Sequence, residues 1–396
     1  MESIKEIFKI GYGPSSSHTM GPAIASQKFL IKNQNASSFT CILYGSLART
    51  GKGHLTDYII KKTFQNKKID VLFDYDKIYQ YHPNAMQFYA YSGDNLIDEW
   101  LVFSVGGGSL KEFNEKRTTF NEMIYPHQKM NEILDYTKKF NLSFVDYILK
   151  YEGESIIPYL YSILEQMKKT INNGIYTDGI LPGGLNVIRK ASLFYQKYLE
   201  KPCLEYLVYA YALASSEENA SGHVIVTAPT CGSCGVLPAV LLSYQRLNHV
   251  SDDSIINALM VAGLIGNLVK TNASISGAEV GCQGEIGVAC SMAAAALSYL
   301  ENKTNEEIEY AAEIALEHHL GMTCDPIDGL VQIPCIERNA VASMQAYNVE
   351  KYIELAGSSH NVTLDSVIQV MGETGRDLHT KYRETSTGGL AIHKKG

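Results

Sequence analysis

Three cysteines stand among glycines and prolines in the C-terminal part of the chain: Cys282 in Gly-Cys-Gln-Gly-Glu, Cys324 in Thr-Cys-Asp-Pro and Cys335 in Pro-Cys-Ile-Glu-Arg-Asn. Three thiolates suit a soft metal centre, and three rather than four leave one coordination position to a substrate. Gly and Pro beside a cysteine turn the backbone tightly, so side chains from separate segments can converge. The spacing matches no zinc ribbon or ferredoxin run, and a free cysteine often serves as a small buried hydrophobe. On spacing alone, metal ligands and inert thiols both stand.

Other polar groups gather in turns near the N-terminus. Gly13-Pro-Ser-Ser-Ser-His-Thr19 feeds a helix, so Ser15, Ser16, Ser17, His18 and Thr19 would lie at its positive end, a cradle suited to a carboxylate. Gly51-Lys-Gly-His54 and His82-Pro-Asn84 are also turn-like, and each presents a histidine. Glu279 and Glu285 flank the first cysteine, either as partners of its ligand set or as helix-terminal carboxylates. Arg338 follows the third and could pair with a substrate carboxylate or make a structural salt bridge. Cys231-Gly-Ser-Cys234 lacks a thioredoxin-like βαβ setting and reads as spare thiols, buried or near the site. Gly106-Gly-Gly108 lacks the G-x-G-x-x-G spacing of a dinucleotide loop and reads as a hinge or turn.

The segments 274–290 (Ser-Ile-Ser-Gly-Ala-Glu-Val-Gly-Cys-Gln-Gly-Glu-Ile-Gly-Val-Ala-Cys) and 324–339 (Cys-Asp-Pro-Ile-Asp-Gly-Leu-Val-Gln-Ile-Pro-Cys-Ile-Glu-Arg-Asn) resemble the iron-sulfur L-serine dehydratases. So do, in the same order along the chain, segments 13–22, 45–54, 82–84, 181–186, 227–230 and 384–389. The resemblance implies a 4Fe-4S cluster on Cys282, Cys324 and Cys335, with Cys41, Cys203, Cys231, Cys234 and Cys290 left out. It implies that L-serine loses its Cα proton and β-hydroxyl to give pyruvate and ammonia, with Ser15 to Thr19 binding substrate and His54, His82 and Asn84 in catalytic proton-transfer or orienting roles. Some relatives carry a cysteine past the 384–389 motif. This chain has none after Cys335, which leaves at most a weak ligand such as His393 for the fourth iron position.

The elements that must position these groups divide the chain. Residues 40–44, 70–73, 86–91 and 100–105 are rich in β-branched and aromatic residues and read as strands; the stretch after Thr19 and residues 56–64 read as helices. The expected fold is α+β: a small N-terminal α/β domain over 1–115, a linker over 116–140, and a larger all-α catalytic domain over 141–396. Ser143 with Asp146 and Thr304 with Glu307 form capping-box patterns, and the runs 204–215, 255–270, 288–300 and 306–318 carry helical spacing. The extended piece 224–227 is the exception.

Composition narrows the function classes. The chain has 396 residues, 45% hydrophobic and 19% charged, with a formal net charge of −8, so it can bury a large core and offers no basic stripe for nucleic acid or an acidic membrane. The start of the chain has no apolar signal region, and the apolar stretch around 286–300 is short for a membrane span, which points to a cytoplasmic protein with reduced thiols. A homodimer is the default assembly. The rivals are threonine dehydration or cysteine desulfuration on the same cluster, a pyridoxal-phosphate dehydratase, and an iron-sulfur or zinc redox sensor. The pyridoxal enzyme would need a Schiff-base lysine and a phosphate loop, and a sensor would have no use for the histidine turns.

Overall fold

The computed structural model describes residues 1–112 and 123–393, and its architecture is α+β. The β-branched and aromatic runs of the N-terminal part pair into one five-stranded sheet, in the order Lys68–Asp74, Ser38–Tyr44, Ala85–Ser92, Asn95–Ser104, Leu110–Glu112. Ser38–Tyr44 runs parallel to Lys68–Asp74, with Ser38 opposite Lys68, and antiparallel to Ala85–Ser92. A parallel pair needs a crossover, and the helices Gly45–Thr50 and Thr56–Thr63 supply it. Helix Gly21–Lys32 contributes Ala25 and Phe29 to a core with Phe39, Phe64 and Phe88.

From residue 130 onward the chain is mostly helical. Ile286–Leu300 is the most buried helix, because Gly, Ala, Ser and Cys all round it leave no polar face and let neighbours approach closely. It packs against Asp252–Asn272, Asn305–Glu317 and Cys335–Ala356. Asp252–Asn272 is long and apolar enough to cross a bilayer, yet 78% of its apolar window is buried inside the fold. The capping boxes form as the sequence indicates: Ser143 accepts from the Asp146 N–H, and Thr304 from that of Glu307.

Two boundaries differ from the sequence reading. Residues 1–12, expected within the small unit, belong to the helical body: Met1, Ile4, Ile7 and Phe8 are fully buried in its core, and strand Ile10–Tyr12 pairs antiparallel with Val224–Val226. Of the stretch expected as a linker, residues 116–122 lie outside the described residues. Its last part forms helix Met130–Phe140, whose first N–H groups are received by the Asp365 carboxylate. Polar composition concealed a helix whose Met130 and Ile133 reach the core. The serine-rich turn thus leaves a strand anchored in the helical body and enters a helix of the sheet unit.

Candidate active site

Each cysteine of the trio sits where the backbone turns. Cys282 opens a short 3-10 turn after Gly281, whose φ of 78° is readily adopted only by glycine. The Cys324 backbone is clamped by the tail, its N–H donating to the Tyr382 carbonyl at 2.8 Å and its carbonyl accepting from the Glu384 N–H at 2.7 Å. Cys335 is the first residue of helix Cys335–Ala356, where the helix dipole favours a thiolate. All three are buried and free. The ligand atoms of Cys282, Cys324 and Glu285 lie within 4.8 Å of one another.

A small cavity joins this cluster to the serine loop. Ser15, Ser16 and Ser17 line it together with Cys324, Cys335, Glu285 and Glu384, and with Gly106, Gly107, Thr230, Gly232 and Gly277; Cys282 is not among the lining residues. The cavity's free volume is about 20 Å³, close to that of one water, so an amino acid enters only as the walls part. Close approach requires glycine at 277, where a Cβ would stand 2.8 Å from Glu285 Oε2 and 3.2 Å from Cys324 Sγ.

The charge balance of the cavity calls for a cation. Glu285 accepts from Thr230 Oγ1 at 2.7 Å, and burial raises its carboxyl above the ordinary range against the pull of Thr230 and Arg338. Burial, Glu285 and Cys282 push Glu384 well above that range. The Cys282 thiol is pulled down, first by a hydrogen bond from Cys324 and further by Arg338; Cys324 is pushed up by the same bond and by burial, and Cys335 chiefly by burial. Arg338 faces these acids, with Nη1 donating to the Thr323 carbonyl at 2.6 Å and Nη2 standing 3.8 Å from Asp325. It therefore braces the Cys324 loop rather than waiting for a substrate. Three thiols and Glu285 beside one guanidinium, with Glu384 in the same cavity lining, fit a positively charged metal group, since buried anions without partners are costly.

Of the residues expected to bind substrate, Ser15, Ser16 and Ser17 reach the cavity wall, while His18 and Thr19 stand behind them. His18 bridges Ser17 Oγ at 2.8 Å and Ser46 Oγ at 3.0 Å, and Thr19 Oγ1 donates to the His54 carbonyl at 2.6 Å. The His54 and His18 rings lie 4.6 Å apart. His54 Nδ1 donates to the Thr50 carbonyl at 3.1 Å, which leaves the lone pair on Nε2, 3.9 Å from Glu384 Oε1 and without a hydrogen-bond partner. Burial lowers this imidazole to about 4, so it is neutral near pH 7. His82 accepts the Asn84 backbone N–H at 3.1 Å and Asn84 Nδ2 donates to the Ser104 carbonyl at 3.2 Å; neither residue is in the cavity wall.

Several wall residues escaped the sequence reading. Glu384 opens a motif whose resemblance was noted without a role for its carboxylate, and it sits at φ 55°, a strained position for a non-glycine residue. The glycine stretch read as a hinge or turn is a turn, and Gly106 and Gly107 also line the cavity. His393, considered for the fourth iron position, is exposed and outside the wall. Cys231 and Cys234 are buried beside Met20 and Ile225 with thiols raised by burial, and Cys41 lies in the sheet core.

Comparison with known proteins supplies the family. Residues 83–391 match the family model for the serine dehydratase alpha chain, and residues 3–62 that for the serine dehydratase beta chain. The chain is 39% identical to L-serine dehydratase 1 of Escherichia coli, and 38% identical to the L-serine dehydratases of Haemophilus influenzae and Streptomyces coelicolor. These alignments cover 99% of this chain and 98–99% of each relative.

Proposed function

This chain belongs to the iron-sulfur L-serine dehydratase family, with the alpha-chain and beta-chain segments on one polypeptide, and from that footing we propose that it is an L-serine ammonia-lyase forming pyruvate and ammonia. The observation that carries the reading is that the serine loop and the thiols of Cys324 and Cys335 line one cavity, with Cys282 close to Cys324 and Glu285. Cys282, Cys324 and Cys335 would hold a 4Fe-4S cluster. When bound, such a cluster with one iron free of cysteine supplies a Lewis acid that helps the β-hydroxyl leave.

The chain's own groups do the rest. Ser15, Ser16 and Ser17 line the cavity and offer hydroxyls to the substrate carboxylate, with His18 and Thr19 holding the loop from behind. His54 takes the Cα proton: it is neutral, its tautomer is fixed by Thr50, and its Nε2 lone pair is unused. His82 and Asn84 orient this array through the turn they share. Loss of the proton and the hydroxyl gives an enamine, which becomes an imine and hydrolyses to the keto acid and ammonia. We further propose a cytoplasmic homodimer, in keeping with the bacterial relatives and the family's small-molecule chemistry.

Anaerobic reconstitution with iron and sulfide, followed by assay of keto acid from L-serine, L-threonine and L-cysteine, tests the reading. L-serine should give the highest kcat/KM. Turnover of L-serine by metal-free protein, or only in the presence of added pyridoxal phosphate, would sink it.

A further inference from the structure

An amino acid brings an ammonium group into this cavity, and the loop hydroxyls and thiols leave that cation without an assigned partner. Two carboxylates line the wall. Glu285 is engaged: Thr230 Oγ1 donates to it, and it stands within 4.8 Å of the Cys282 and Cys324 sulfurs, on the metal side. Glu384 is different. Its side chain is only 11% exposed, and no hydrogen-bond donor among the described residues reaches its carboxylate. His54 Nε2, itself buried and unpartnered, stands 3.9 Å from Glu384 Oε1. The clamp on Cys324 fixes its backbone, and Arg338 is turned to Thr323 and Asp325 instead.

A buried carboxylate beside an unused nitrogen lone pair makes a nest of acceptors with no donor, the complement of an ammonium, which is all donor. We propose that Glu384 binds the α-ammonium of the substrate and is the residue that makes the cavity select an amino acid over a hydroxy acid. This rests on the reading of the cavity as the L-serine site. An ammonium on Glu384 brings the adjacent Cα towards His54, while the carboxylate end of the substrate lies towards Ser15, Ser16 and Ser17. Glu384 is thus a substrate-binding group and His54 the base beside it.

The test compares wild type, Glu384→Gln and Glu384→Asp, reconstituted anaerobically and matched for iron content by visible absorbance. L-alanine, which cannot eliminate, is titrated calorimetrically, and 3-hydroxypropionate, which lacks the ammonium, is assayed as an inhibitor of pyruvate formation. Glu384→Gln should weaken L-alanine tenfold or more and raise the KM for L-serine by a similar factor, with 3-hydroxypropionate inhibiting at least as well as in wild type. Glu384→Asp, which keeps the charge, should lie between the two. Equal weakening of both ligands, or a fall in kcat with L-alanine affinity and KM unchanged, would overturn the proposal. Wild type that loads iron but neither binds L-alanine nor forms pyruvate would instead overturn the reading of the site itself.

Discussion

At the scale of single residues, the thiols and the buried imidazole give the sharpest expectations. Cys324→Ser should abolish iron retention and pyruvate formation, whereas Cys290→Ser, whose thiol only donates to the Ala342 carbonyl, should keep both; iron content and assay on the two proteins check this. His54 titrates at about 4 when folded, below its ordinary value, so between the two the unfolded chain binds the extra proton. Stability therefore rises from about pH 4 to about pH 6.5 and is flat above, a contribution of about 3 kcal/mol that is lost on acidification. Urea midpoints of His54→Gln should lack this part of the slope. The cysteines and the serine loop were legible because family-like motifs surround them. Glu384 was not, because its importance lies in where the tail folds back onto Cys324, and nothing in its neighbours' types announces that contact.

At the scale of elements, the turn before Cys282 has to bring its backbone against other side chains. Gly277→Ala would press a methyl onto Glu285 and Cys324, so it should cost about 1–3 kcal/mol by overpacking and lower iron loading, read by thermal melting and by iron assay. Helix Asn305–Glu317 supplies a pH-dependent case away from the site. Burial, and then Glu317, raise the Glu313 carboxyl to about 8, so the folded protein holds a proton that the unfolded chain has lost between about pH 4.5 and pH 8. Stability falls as pH rises through that window, and Glu313→Gln should flatten the fall when melting temperatures are compared at pH 6 and pH 8.5. A capping box made the start of Phe144–Glu152 readable, and both ends of Asn305–Glu317 were readable to within a residue. Met130–Phe140 was not, because its two core residues are spaced among charged ones.

At the scale of the whole molecule, the site exists because the chain crosses between its two parts. Residues 1–12 are built into the helical body, and the serine loop hangs from them. Removing residues 1–8 would strip four fully buried side chains, Met1, Ile4, Ile7 and Phe8, from that core at about 1.5–3 kcal/mol each. That loss is comparable to the whole stability of a domain, so the truncated chain should be recovered insoluble or molten in expression and melting trials. Sequence pattern assigned these residues to the small unit because a short apolar run carries no mark of which core it joins. On the function proposed above, the three thiols hold a cluster on which L-serine reacts beside the serine loop. The most direct test of that function is the rate of pyruvate formation from L-serine by anaerobically reconstituted protein, measured on wild type and on Cys282→Ser, Cys324→Ser and Cys335→Ser. Turnover should rise with bound iron in wild type and be lost in all three variants; undiminished pyruvate formation by any one of them would show that the thiols do not hold the catalytic group.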